Sequence, residues 1–329
     1  MGVVHPLARR IAGSLVLFWL VVTLTFVLVR LAPGDPTALL VSPEASAEDA
    51  ARLRASLGLD APMPVQYARW SAAVLRGDLG ESFATRRPVT VVLAEALPIS
   101  LALGLSSLAL SFIVGVAIGL VQGARRGTPL DTSLTVLTTS VYAAPSYWLA
   151  LSLVALFTYG ATVWGFPEAL RLPAFGVRDP AGQYTGVAAM VDVVRHAILP
   201  VTVLAAVGAA GIARYARTTV ADLTGAEWVR TARAKGLAAR GVYGRHILAN
   251  AMPPLVVLLA LSIPGVVAGS VFVESVFAWP GMGRAMLGAI AARDYPVVMG
   301  ATILYAALVI AANLAADLLL PILDPRRDA

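Results

Sequence analysis

Between Glu227 and Asn250 the chain gathers its only lysine, Lys235, with Arg230, Arg233, Arg240 and Arg245. Cations at this density suit charge-assisted hydrogen bonds, often bidentate, to carboxylates carried by another molecule. The patterns that covalent chemistry would need are missing. A phosphate-binding loop requires Gly-Lys before Ser or Thr, whereas Lys235 follows Ala234 and precedes Gly236. There is no GxSxG elbow, no HExxH pair and no paired-carboxylate constellation. Cysteine is absent, which removes disulfides, thiolate metal sites and cysteine nucleophiles. His5, His196 and His246 are too scattered to form a metal site by spacing. No catalytic residue, metal or cofactor is expected.

The elements that must position this basic stretch are apolar. Of 329 residues, 58% are hydrophobic and 13% charged, against about a quarter charged in a soluble chain. The apolar residues fall in long runs, so the chain is expected to be an all-α polytopic membrane protein. Its net charge of +6 does not point to nucleic acid, because no basic, aromatic-interleaved domain is present and the cations lie between apolar runs.

A membrane-crossing helix needs about 20 apolar residues at 1.5 Å rise each. Six segments qualify: Ile11–Val29, Ala96–Ala124, one within Thr132–Tyr159, Ala197–Ala213 (the shortest), Met252–Val273 and Val297–Leu320. The first run is long for a signal peptide, and no small-x-small cleavage site follows it before Pro33. Arginine bias sets the orientation. With the N-terminus inside, the inner pieces 1–10, 123–131, 214–250 and 324–329 hold 13 Arg and Lys; the short outer loops 159–195 and 274–295 hold five. Both termini and the stretch Glu227–Asn250 are therefore expected in the cytoplasm.

The expected organisation is a first helix with an external amphipathic subdomain over 1–95, a five-helix core over 96–323 with a cytoplasmic loop at 214–250, and a tail at 324–329. A turn is predicted at Ala32-Pro33-Gly34-Asp35-Pro36. Ser46 with Asp49 reads as an N-cap pair and Gly58 as a helix stop, with Glu48 and Arg52 spaced for an ion pair and Ala50, Leu53 and Leu57 on one face. Tyr67, Trp70 and Val74 mark a second amphipathic stretch suited to the membrane interface. Gly115, Gly119 and Gly123, and again Gly265 and Gly269, have the spacing that lets helix backbones approach closely in lipid. Pro145, Pro200 and Pro264 interrupt their spans. Trp279 to Gly283 is expected to be a tight turn at the outer surface. Asn313 and Asp317 lie one helical turn apart near the inner end of the last span, and Asp317 is expected to be bonded to Asn313 or a nearby arginine as a structural pair, ahead of a proton-relay role.

The basic segment itself reads as two short helices. One covers roughly Ala226 to Ala234, Gly236 breaks it, and about Gly241 to Ala251 forms the second before Pro253. It is expected to be a handle by which a second protein moves the membrane helices.

At these residues the chain resembles the membrane subunits of ABC importers, specifically the B-type permease subunit of the dipeptide/oligopeptide family. That family has a cytoplasmic "EAA" loop, Glu-Ala-Ala followed four residues later by Gly. Here Arg230-Thr231-Ala232 stands in that slot, with the glycine at Gly236. RTARAKGL resembles the peptide subfamily's form. His246, Asn250 and Pro253 fit its H-x-x-x-N pattern and closing proline, although Ala249 replaces the usual arginine. The likeness extends to Arg30–Pro36, Leu57–Asp60, Gln66-Tyr67, Gly77–Ser82, the E-x-x-F-x-WPGxGR run from Glu274 to Arg284, Arg293–Pro296 and Leu323–Arg326.

The resemblance implies a type I (MetI-like) importer half in a bacterial or archaeal cytoplasmic membrane. A second, related permease subunit would complete the pathway, two cytoplasmic ATPase subunits would grip the handles, and an external solute-binding protein would deliver a di- or oligopeptide. Glu227, Arg230, Thr231, Ala232, Arg233, Lys235, Gly236, His246 and Asn250 would form the ATPase-coupling loop. Nickel, glutathione or another small solute is the alternative cargo. An ion-coupled transporter is the competing class; it would show buried acids in several spans and often an inverted repeat, and here only Asp317 is a candidate and no repeat is visible.

Overall fold

The computed structural model describes residues 4–31, 46–56, 58, 60–267 and 271–323. Its helices, in order, are α1 Val4–Leu31, α2 Ala47–Ser56, α3 Met63–Leu75, α4 Val89–Ala124, α5 Pro129–Ala143, α6 Ser146–Val163, α7 Gly186–Thr224, α8 Glu227–Ala234, α9 Ala239–Val266, α10 Val271–Val276, α11 Met282–Ala291 and α12 Tyr295–Leu323. Six of these, α1, α4, α6, α7, α9 and α12, are long and apolar enough to cross a membrane, as the apolar runs require. The turn at Ala32–Pro36, residues Leu57 and Leu59, Gly269 and the tail from Asp324 lie outside the described residues, as do the side chains of Ala50 and Leu53.

Helix lengths depart from the hydropathy reading. The fourth span, expected to be the shortest, is the longest helix, with 39 residues. Its charges end the apolar run but not the helix, and several of them meet partners. Asp192 pairs with His196 at 3.2 Å, Arg195 donates to the Arg171 carbonyl at 3.0 Å, and Arg217 pairs with Asp131. Pro200 and Pro264 sit inside continuous helices, and α4 begins at Val89 and runs through Pro98. Pro145 does break its span: α5 ends at Ala143 and α6 starts at Ser146. A π-helical turn at Ala155–Gly160 lies within α6.

The chain forms two compact units. The first comprises residues 1–99 and 281–311. The Ser46 hydroxyl and the Asp49 amide and carboxylate cap α2 reciprocally, at 2.7 and 3.2 Å, and Gly58 ends that stretch at φ +67°. Arg52 and Glu48 pair at 2.7 Å but are largely exposed, so the bond adds only a few tenths of a kcal/mol. The aromatic residues of α3 pack on α1. Tyr67 and Trp70 lie 5.3 and 5.1 Å from the Phe26 ring, and the Tyr67 hydroxyl meets Thr23 Oγ1 at 2.6 Å. A core of Val89, Leu93, Met282, Ala289, Val297 and Ala301 completes this unit.

The second unit comprises residues 100–280 and 312–329. Its close approach is set by glycine. A Cβ on Gly115, Gly119 or Gly123 of α4 would lie 2.5–2.7 Å from Ile212, Ala216 or Val220 of α7. These glycines therefore pack helices within the bundle, where contact between backbones replaces the missing hydrophobic driving force. Gly265 does not follow the same rule: among the described residues, a Cβ there would meet nothing within 4 Å. Trp279 is 4% exposed, and Met282 of the other unit is fully buried.

Candidate functional site

Helix α8 has two faces. Val229 and Ala232 are buried, while Trp228, Arg230, Thr231 and Arg233 are exposed. Glu227 in its first turn and Arg233 in its last complement the helix dipole. The C-terminus is closed by backbone alone: Lys235 N–H donates to the Thr231 carbonyl, Gly236 N–H to Arg233 and Leu237 N–H to Ala232. Gly236 takes φ +78° to do so. Its Cβ position is open, so the demand for glycine there comes from the backbone and not from packing.

The second half of the segment corrects the expected break at Pro253. Helix α9 starts at Ala239 and continues through Pro253 and Pro254. The carbonyls those prolines leave free belong to Ala249 and Asn250, which are exposed, so their lost helix bonds need no protein donor. A π-helical turn at Val242–Ile247 lies near its start. The extra residue of that turn buries both Val242 and Ile247, while Arg245 between them stays exposed.

These apolar residues lock the segment down. Val229, Ala232, Val242, Ile247, Ala251 and Leu255 share a core with Ala216 and Val220 of α7. Arg233 Nη2 donates to the Tyr243 hydroxyl at 3.3 Å, and that hydroxyl donates to the carbonyl of Ala124, the last residue of α4, at 3.3 Å. The structure thus brings Ala232 into the core and Arg233 onto the α4 end. It leaves Glu227, Arg230, Thr231, Lys235 and Gly236 exposed. Asn250 Nδ2 donates to the His246 carbonyl at 2.8 Å, one turn back in the same helix.

Sequence reading missed the residues that tie the basic segment's support together. Arg217, counted only as a topology charge, holds Asp131 with Nε–Oδ1 at 2.7 Å and Nη2–Oδ2 at 2.8 Å. Asp131 is 2% exposed and also accepts from Gly127 N–H at 2.9 Å. The Arg217 hydrogen bonds, opposed by burial and helped by Gly127, pull the Asp131 carboxyl down to about 2. Two further acids were read only as motif letters. Glu274 is 1% exposed and accepts from Ser100 Oγ at 2.7 Å. Asp294, in the other unit, accepts from Ser82 Oγ at 2.5 Å and from Phe83 and Ala84 N–H at 3.0 and 3.1 Å. Only long-range pairing distinguishes these carboxylates from surface acids.

An amphipathic basic segment clamped onto long membrane helices can pass displacement, and no catalytic grouping accompanies it among the described residues. Residues 115–329 match the family model "Binding-protein-dependent transport system inner membrane component", and residues 3–104 match its N-terminal companion. The oligopeptide transport system permease protein AppB of Bacillus subtilis is 34% identical over 319 residues, covering 97% of both chains. The dipeptide transport system permease protein DppB of Escherichia coli is 34% identical, again with 97% of each chain covered. A Brucella suis protein with a provisional peptide-permease name is 38% identical over 92% of each. Among solved structures, the inward-facing MetNI methionine ABC transporter aligns with a TM-score of 0.50 and 17% identity, over 71% of this chain and 97% of that one; this likeness concerns the fold. The chain is thus a multi-pass inner-membrane protein and belongs to the family of inner membrane components of binding-protein-dependent transport systems, as an ABC importer permease subunit.

Proposed function

We propose that this permease subunit imports di- or oligopeptides. The observation that carries the reading is full-length similarity to transport proteins named for peptides, at 34% identity over 97% of the chain. A related but different permease chain completes the pathway, and ATP is hydrolysed by two separate subunits on the cytoplasmic side. Their carboxylates meet the exposed cations Arg230 and Lys235 beside Gly236. Nucleotide binding moves α8, and its apolar seat carries that motion to α4, α7 and α9. A ligand shifts a conformational equilibrium only by its differential affinity for the two states, and α8 is where that difference enters this chain. The five core helices with their loop at 214–250 do this work, and residues 1–95 form the first helix and its external attachment.

The test is uptake by the assembled importer in proteoliposomes, with labelled trialanine and nickel offered separately. ATP-dependent trialanine uptake is expected. Uptake of nickel alone would replace the peptide reading with the small-solute one. Uptake that survives ATP depletion but not a protonophore would replace it with an ion-coupled one.

A further inference from the structure

Helices α4, α7 and α9 border a groove of about 680 Å³, and every residue lining it belongs to the second unit. Most of the wall is α7. Gly208 and Gly211 leave the upper part of that wall without side chains, and Arg214, Thr218, Thr219 and Asp222 follow toward the inner end of the helix. Ser111 of α4 and Ser262 of α9 add hydroxyls from the other two helices.

Arg214 and Asp222 are the two charged residues of this lining, and both are exposed. Among the described residues neither has a hydrogen-bond or ion-pair partner for its charge. The Arg214 guanidinium lies over the Tyr142 ring, 4.8 Å from its centroid, which orients it and leaves its N–H donors unspent. Arg217, three residues on, is instead spent on Asp131. Eight residues of helix put about 12 Å of rise between Arg214 and Asp222, too far for the two to pair with each other. The hydroxyls between them have committed their protons: Thr218 donates to the Arg214 carbonyl at 3.2 Å and Thr219 to the Tyr215 carbonyl at 3.1 Å. Ser262 donates to the Leu258 carbonyl at 2.8 Å. Their lone pairs remain for N–H donors. The groove therefore presents a cation at one end, a carboxylate at the other and acceptors between. An extended peptide gains about 3.3–3.6 Å per residue, so the two charged termini of a chain of three or four residues match that separation.

We infer that this groove binds the peptide in transit as a zwitterion, its α-carboxylate on Arg214 and its α-ammonium on Asp222. The inference rests on the peptide reading above. The guanidinium takes the carboxylate through paired N–H donors, Asp222 takes the ammonium, and the threonine and serine oxygens accept from the peptide N–H groups. An Arg214 that only fixes topology, or a groove whose charges pair with the companion permease, would be indifferent to the state of the peptide's termini.

Blocking one terminus at a time separates these cases. The assembled permease–ATPase complex, free of binding protein, would be titrated with trialanine, trialanine amide and N-acetyltrialanine. Wild type is expected to bind trialanine at least five-fold tighter than either blocked form. Arg214→Gln should lose the preference over the amide and keep the preference over the N-acetyl form; Asp222→Asn should do the reverse. The preference each variant keeps shows that its groove is still folded. Equal wild-type affinity for the three probes, no trialanine binding by wild type, or a variant that keeps or loses both preferences would overturn the inference. If either variant fails to co-purify with the ATPase subunits, Arg214→Lys or Asp222→Glu takes its place. The corresponding preference should then fall at least two-fold, and an unchanged one counts against the site. Trialanine uptake by wild type, measured alongside, separates the failures: uptake without terminal preference defeats the site alone, and no uptake defeats the peptide reading with it.

Discussion

Arg217 closes both arms of its guanidinium on Asp131, at 2.7 and 2.8 Å, across 86 residues of chain. The bond ties α7 to the start of α5, where the Asp131 N–H also meets the Thr128 cap at 3.4 Å. It holds the inner end of the helix against which α8 is seated. Bidentate geometry and near-complete burial of the carboxylate separate this pair from the exposed Arg52–Glu48 bond, whose loss should be hard to measure.

The pair should make stability depend on acid. Because the folded-state carboxyl is held down to about 2, its contribution is complete above its unfolded value near 3.9 and is lost as pH falls through the window from there to about 2. Thermal unfolding of the detergent-solubilised protein should show a decline across that window that Asp131→Asn lacks. At neutral pH the same variant leaves Arg217 without its counter-charge and should cost about 2 kcal/mol, below the figure for a fully buried pair because Arg217 remains partly exposed. An unchanged midpoint at neutral pH would remove the pair from the account.

Gly119 offers a steric prediction. A Cβ there would lie 2.5 Å from Ala216 Cβ and 2.6 Å from the Ala213 carbonyl oxygen. Gly119→Leu must push α4 from α7, at a cost of at least the 1–3 kcal/mol typical of overpacking. Gly241→Ala is the contrast, since nothing lies within 4 Å and the residue is helical. It should be neutral or stabilising by up to about 1 kcal/mol. Unfolding midpoints of the two variants should move in opposite directions or differ clearly in size.

Asp294 anchors the segment that follows α3. Three donors converge on its carboxylate, and Asp294→Asn would turn an amide N–H₂ toward at least one of them. A loss of about 1–3 kcal/mol is expected from the donor left unsatisfied. Hydrogen exchange at Phe83 and Ala84 should accelerate in the variant, while exchange in α9 stays unchanged.

Gly236 tests the handle. Valine there must adopt φ near +78°, a strain of roughly 1–3 kcal/mol for a non-glycine residue, or else reshape the turn after α8. Gly236→Val should insert into the membrane at wild-type level, lose uptake, and leave ATP hydrolysis by the companion subunits no longer stimulated by substrate. Wild-type uptake in this variant would mean that α8 does not transmit the ATPase motion.

The amino-acid order already carries six membrane-crossing helices, the place of the basic segment and the break at Gly236, because hydropathy, charge and glycine at a reversal are sums over neighbouring residues. It misjudged the ends of α4, α7 and α9. Charges and prolines close an apolar run, but a helix continues wherever its polar groups find partners, as Asp192, Arg195 and Arg217 do. Which acids matter emerges from the folded chain alone. Asp131, Glu274 and Asp294 owe their burial to donors 86, 174 and 212 residues away, and no local pattern records a partner at that distance. The same holds for the open space at Gly265 against the closed contact at Gly119. Both glycines have the same spacing signature in sequence, and only what surrounds each among the described residues tells them apart.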